Sequence, residues 1–183
     1  MIVFGFWAYP QLPDKVPSHW NILGQVDGWS SRPFAVFFFM VLIFGIYLLL
    51  LFLPYLDPKK ENYAKFEKAY RNIRFLIVGF MILIHFVTLL IGLGYQLDMV
   101  RIMQVFMGLL FVLLGNFLKG VKQNWFVGIR LPWTLENEGN WNKTHEIGSK
   151  GFILAGLATM LGFFLPTAWG FILMLISIAA VML

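Results

Sequence analysis

The sequence predicts an all-α membrane protein, a bundle of five transmembrane helices preceded by a shortened N-terminal apolar segment. Three observations carry that prediction. Hydrophobic residues fill 60% of the 183 positions and charged residues only 13%, about half the charged share of a soluble domain. The apolar residues come in blocks close to the roughly 20 residues that cross a bilayer as a helix. Lysine and arginine crowd into alternate joints between those blocks.

Residues 1–9 are apolar but too short to cross. They lack the basic start and the small-residue cleavage site of a signal peptide, so they read as the end of a shortened helix or an interfacial anchor. Residues 10–33 hold Pro10, Pro13, Pro17 and Pro33 with Gly24 and Gly28, which predicts a compact, turn-rich loop. Its candidate ligand-binding groups are His19, Asn21 and Asp27. One histidine with two nearby aspartates falls short of the three or four ligands of a zinc site, so no metal is expected there. The alternative is that His19 bonds a loop carbonyl while Asp27 caps a turn.

Residues 34–53 form the first clear span, uncharged and bounded by Pro33 and Pro54. Residues 54–74 follow as a basic linker, in which Tyr63, Phe66, Tyr70 and Ile73 fall on one face of a helix. Such a helix suits the surface of an anionic leaflet or an extension of the next span. The next spans are residues 75–97 and 102–118, and a closing hairpin pairs 152–165 with 170–183. Gly151 with Ala155, and Ala158 with Gly162, have the spacing of close helix packing.

Orientation follows from the basic residues. Residues 54–74 hold six and residues 119–150 hold five, against Lys15, Arg32 and Arg101 on the other side. Loops 54–74 and 119–150 are therefore expected in the cytoplasm and residues 10–33 outside.

Loop 119–150 is the most informative stretch. Gly128 allows a tight turn, Arg130 offers five donors, and Pro132 stops a helix from running through. Arg130 has Glu136, Glu138, a lipid phosphate or an external partner to choose from. Thr134 is placed to cap a turn over residues 135–137, and Asn142 or Thr144 to cap the next helix. Stacking of Trp125, Trp133 and Trp141 would fold the loop over the membrane. It is read either as a structural cap or as a docking surface.

His85 is the ionisable group in the middle of an apolar span, a functional candidate by position. Its bland role is a hydrogen bond to Asn116, Gln104 or Thr88. No acidic residue accompanies it mid-span, which weakens a proton relay. There is no cysteine, which removes disulfides, iron–sulfur clusters and thiol nucleophiles. Neither a phosphate-binding loop nor a serine nucleophile motif is present. The reading is no enzyme, no cofactor and no direct nucleic-acid partner.

Asn124, Gly128-Ile129-Arg130, Pro132-Trp133-Thr134-Leu135, Trp141 and His145 resemble the signature of the SdpI family of membrane immunity proteins. Leu12-Pro13, Pro17-Ser18-His19-Trp20-Asn21, Gly24 and Asp27-Gly28 are similar to the DUF1648 segment that precedes it in that family. Leu131 and Val26 depart from the pattern, which has Thr and Pro there. The resemblance divides the chain into a DUF1648-like part (1–53), the basic linker (54–74) and an SdpI-like domain (75–183). It implies resistance to a secreted peptide toxin, and in the best-known member a toxin receptor that holds a transcriptional repressor at the membrane. Expected partners are therefore membrane lipids, a peptide toxin and a cytoplasmic repressor. The alternative is a small membrane transporter or lipid-handling protein, which would depend on His85.

Overall fold

The computed structural model describes residues 1–182. Leu183, the last residue of the expected fifth span, lies outside the described residues.

The chain opens with α1 (Ile2–Ala8), which runs into a short 3-10 turn, Tyr9–Gln11. The predicted loop that follows is instead an antiparallel hairpin of β1 (Lys15–Trp20) and β2 (Val26–Ser31). Lys15 faces Ser31, Pro17 faces Trp29, and an irregularity brings His19 opposite Gly28. Prolines suggested a loop, but they stand where a missing N–H costs little: Pro13 and Pro33 outside the strands and Pro17 on a two-stranded ribbon that is all edge. The reversal is closed by Asn21, whose Oδ1 accepts the N–H of Leu23 and of Gln25, each at 3.0 Å. Gly24 supplies the positive φ of that turn, +77°.

The hairpin rests on the helices through Leu12 and Val16, buried with Ala8, Ala35, Val36, Met40 and Leu89. Gly92 makes the approach possible, since a Cβ there would lie 2.8 Å from Leu12 and 2.9 Å from Val16.

A π turn over Phe34–Phe38 leads into α2 (Phe39–Leu56). A 3-10 segment, Lys60–Phe66, then continues into α3 (Glu67–Gly92), and α4 (Met99–Leu118) follows behind the capping carboxylate of Asp98. The short α5 (Pro132–Glu136) precedes α6 (Glu138–Leu161), and α7 (Thr167–Met182) closes the chain. Among the described residues, four helical stretches are long and apolar enough to cross a membrane, and α7 is a shorter apolar helix. The protein is an all-α membrane bundle carrying one small β-hairpin. Its apolar stretches run over residues 34–56, 75–92, 99–118, 151–164 and 167–182.

Three further expectations change. The face of Tyr63, Phe66, Tyr70 and Ile73 does not lie on lipid; it is buried with Val121 and Trp141. The cap of α6 is Asn137, which accepts the Asn140 N–H at 3.0 Å, so the helix begins well before Asn142 and Thr144. Close packing of α4 on α6 uses Gly108, Gly115 and Gly156 rather than Gly151, which has open space around it. A Cβ on Gly115 would lie 2.7 Å from Ser149 O, and Ser149 Oγ in turn donates to Gly115 O at 2.7 Å. Small residues are common in both helices, so spacing alone did not identify the contact face.

The hairpin turn meets the helix ends near residues 98–100 and 167, since a Cβ on Gly24 would lie within 3.8 Å of Asp98, Val100 and Thr167. Loop 119–131 packs instead on residues 57–66 at the other end of the bundle.

Candidate functional site

The loop after α4 has little regular structure, and polar side chains replace the missing backbone bonds. Asn124 is fully buried: its Oδ1 accepts from the N–H of Phe126 and Val127 at 2.9 and 2.7 Å, and its Nδ2 donates to Lys122 O and Val127 O. Gln123 Nε2 donates to Thr134 O and Leu135 O at 2.8 Å, which ties the loop to α5. Asp57 reaches in from the end of α2 and accepts from Trp125 N at 2.9 Å, Lys59 N at 2.7 Å and Tyr63 Oη at 3.0 Å. Burial, then the hydrogen bond and charge of Asp57, push the Tyr63 phenol up, so it stays protonated and donates.

Gly128 has φ +119°, and a Cβ there would run into His145 Nε2 and lie 3.1 Å from the Trp141 ring. The bare backbone lets Ile129 donate its N–H to His145 Nε2 at 3.1 Å. His145 Nδ1 in turn donates to Trp141 O at 2.8 Å, because a carbonyl can only accept. His145 therefore sits as the neutral Nδ1–H tautomer, and burial lowers its pKa in the same sense. Trp141, fully buried, stacks on that ring at 4.0 Å and donates from Nε1 to Val121 O.

Pro132 opens α5, where its missing N–H is harmless. Thr134 caps this helix from within rather than ahead of residues 135–137: its Oγ1 accepts the Leu131 N–H and faces Ile129 O, all at 2.9 Å. The tryptophans do not stack together. Trp141 is internal while Trp125 and Trp133 are exposed. Arg130 pairs with neither Glu136 nor Glu138 among the described residues; its Nη1 donates to Trp125 O at 2.9 Å.

At the other end, His19 Nδ1 meets Asp27 Oδ1 at 2.5 Å, both side chains substantially exposed. That pairing replaces the expected carbonyl bond and turn cap. Among the described residues no group of three or more histidines and carboxylates is arranged to hold a metal. Asn21 is engaged in its own turn.

Beneath the hairpin, between β1, α2, α3, α4 and α7, lies a cavity of about 400 Å³. Its wall includes His19 and Trp20 at the hairpin and Phe39, His85, Met103 and Phe171 among the helices. His85 does not reach Asn116, Gln104 or Thr88. Its Nε2 donates to Ala35 O at 3.1 Å, and its ring lies 5.8 Å from that of Phe39. Gln104 is instead buried against Gly162 and Gly170.

Residues 120–183 match the SdpI/YfhL protein family, and residues 1–44 match a domain of unknown function, DUF1648. Over 157 residues the chain is 28% identical to the immunity protein SdpI of Bacillus subtilis (strain 168), covering 85% of this chain and 73% of that relative. The C-terminal third of the chain is thus similar to the SdpI/YfhL family, and its N-terminal part to DUF1648. No solved structure matches the chain.

Within this chain, the signature separates into two groups. Asn124, Gly128, Thr134, Trp141 and His145 form one packed and bonded assembly, whereas Arg130, Pro132 and Trp133 lie toward solvent. Asp57, Tyr63 and Gln123 belong to the same assembly and were missed. Asp57 did leave a signal, as an acidic residue between Leu56 and Pro58 directly after a span. Its partner Trp125 lies 68 positions away, too distant in sequence to be recognised from spacing.

Proposed function

We propose that the chain is a membrane immunity protein that protects its cell against a secreted peptide toxin. The match to an immunity protein across 85% of the chain carries this reading. The hairpin end, where His19 lies on the wall of a largely apolar cavity and pairs with Asp27, is where the toxin is met, and the basic-residue bias supports that end lying outside the cell. The opposite, basic end then faces the cytoplasm. There Arg130, Trp125 and Trp133 are exposed on the hydrogen-bonded loop, a set suited to docking a transcriptional repressor. Aromatic and arginine side chains anchor protein interfaces disproportionately.

The test is survival. The chain is produced in cells stripped of their own immunity protein and challenged with the toxin to which the Bacillus subtilis relative confers immunity. Protection supports the reading. Full killing despite correctly inserted protein would overturn it for this toxin. The docking role is tested separately: Arg130→Ala with Trp133→Ala should release a membrane-held repressor while protection persists.

A further inference from the structure

The cavity beneath the hairpin has one feature that ordinary packing does not explain. His85 is only 3% exposed, yet its Nδ1 has no hydrogen-bond partner. Because Ala35 O can only accept, the proton of a neutral ring sits on Nε2. Nδ1 is therefore a bare acceptor on a ring that forms part of the cavity wall. The hydroxyl of Ser30, also on the wall, is likewise buried without a partner. A buried polar atom left unpaired is costly, and native proteins rarely keep one without a use.

The rest of the lining favours a particular kind of occupant. Met81, Met99, Met103 and Met174 all contribute, four of the nine methionines in the chain. Thioethers adapt to irregular shapes and pack well against aromatic rings. Phe39, Phe171 and Trp20 add aromatic walls. A dry cavity of about 150 Å³ holds a benzene ring, so about 400 Å³ accommodates a larger ring system. His19, Ser18 and Thr88 are the other polar side chains on the wall.

We infer that this cavity is a binding site for an aromatic group bearing a single N–H or O–H donor, an indole or phenol ring, whose donor is received by His85 Nδ1. A phospholipid acyl chain fits the apolar walls but leaves Nδ1 unmatched. On the immunity reading, the ring is a tryptophan or tyrosine side chain of the toxin. The inference rests on that reading for the source of the ring, and on the cavity alone for its chemistry.

Full-length protein in phosphatidylethanolamine/phosphatidylglycerol nanodiscs is titrated with 5-fluoroindole and followed by fluorine NMR. 5-Fluorobenzofuran, of nearly the same shape but with no donor, is the control, and empty nanodiscs correct for partitioning. Saturable binding of the indole, about tenfold tighter than the benzofuran, is expected from one added hydrogen bond. His85→Leu should abolish that preference, and Met103→Trp, which fills the cavity, should abolish binding of both probes. Equal affinity of the two probes for the native chain, or no saturable binding above empty discs, overturns the inference without need of any variant. The source is read by displacement. Release of bound 5-fluoroindole by the toxin, but not by an oleoyl lysophospholipid, supports the peptide. Release by the lipid alone overturns the peptide source while leaving the survival result standing.

Discussion

His145 Nε2 accepts the backbone N–H of Ile129 at 3.1 Å, and the opposite side of the same ring donates to Trp141 O. One imidazole thus joins α6 to the turn at Gly128.

Gly128→Ala should break it. The new methyl would stand where His145 Nε2 lies, at a φ of +119° that favours glycine. Backbone strain of about 1–3 kcal/mol adds to the lost hydrogen bond. The expected outcome is protease cleavage within residues 119–131 at concentrations that leave the native chain whole. The helices should stay intact by circular dichroism.

Acid should loosen the same junction. His145 lies outside the apolar part of α6, and burial holds its pKa below the ordinary value of about 6.5. The unfolded chain therefore binds the extra proton first as pH falls, so stability rises with pH in that range. The contribution is present above about pH 6.5 and is lost as pH falls toward the lowered folded value. Thermal unfolding in detergent at pH 7.5 and 5.5 should show a drop that is smaller in His145→Gln, which is less stable at both.

Asp57→Ala should be more damaging than its place in a linker suggests. The carboxylate is 3% exposed and receives three donors. Charged hydrogen bonds are worth about 1.5–3 kcal/mol each, though losses within one network do not add. Asp57→Asn, which retains one acceptor oxygen, should lose less. Apparent melting temperatures of the two variants in one detergent decide the order.

Asp27→Ala is expected to behave in the opposite way. The His19–Asp27 pair is exposed, and such pairs contribute about 0–1 kcal/mol. Melting should stay close to that of the native chain while protection against toxin falls. Unchanged protection would remove the pair from the toxin-binding role.

Sequence alone determined the class of protein and the rough extent of its spans. Twenty-residue apolar blocks have few alternatives to a membrane helix, because every backbone group in lipid must be bonded internally. It also marked residues 124–145 as unusual. What it left undecided depends on partners far apart in the chain. The prolines of residues 10–33 were compatible with loop or ribbon until strand pairing set His19 beside Gly28. The aromatic face of residues 63–73 was compatible with a leaflet surface or an extension of the next span until Val121 and Trp141 covered it. Trp125, Trp133 and Trp141 looked equivalent, yet Trp141 alone is internal, because α6 begins early enough to carry it under Val121. Only the tertiary structure gathered β1, α2, α3, α4 and α7 around one cavity with an unpartnered His85 nitrogen. Local periodicity shows that a side chain is buried; what it is buried against is decided when distant segments meet.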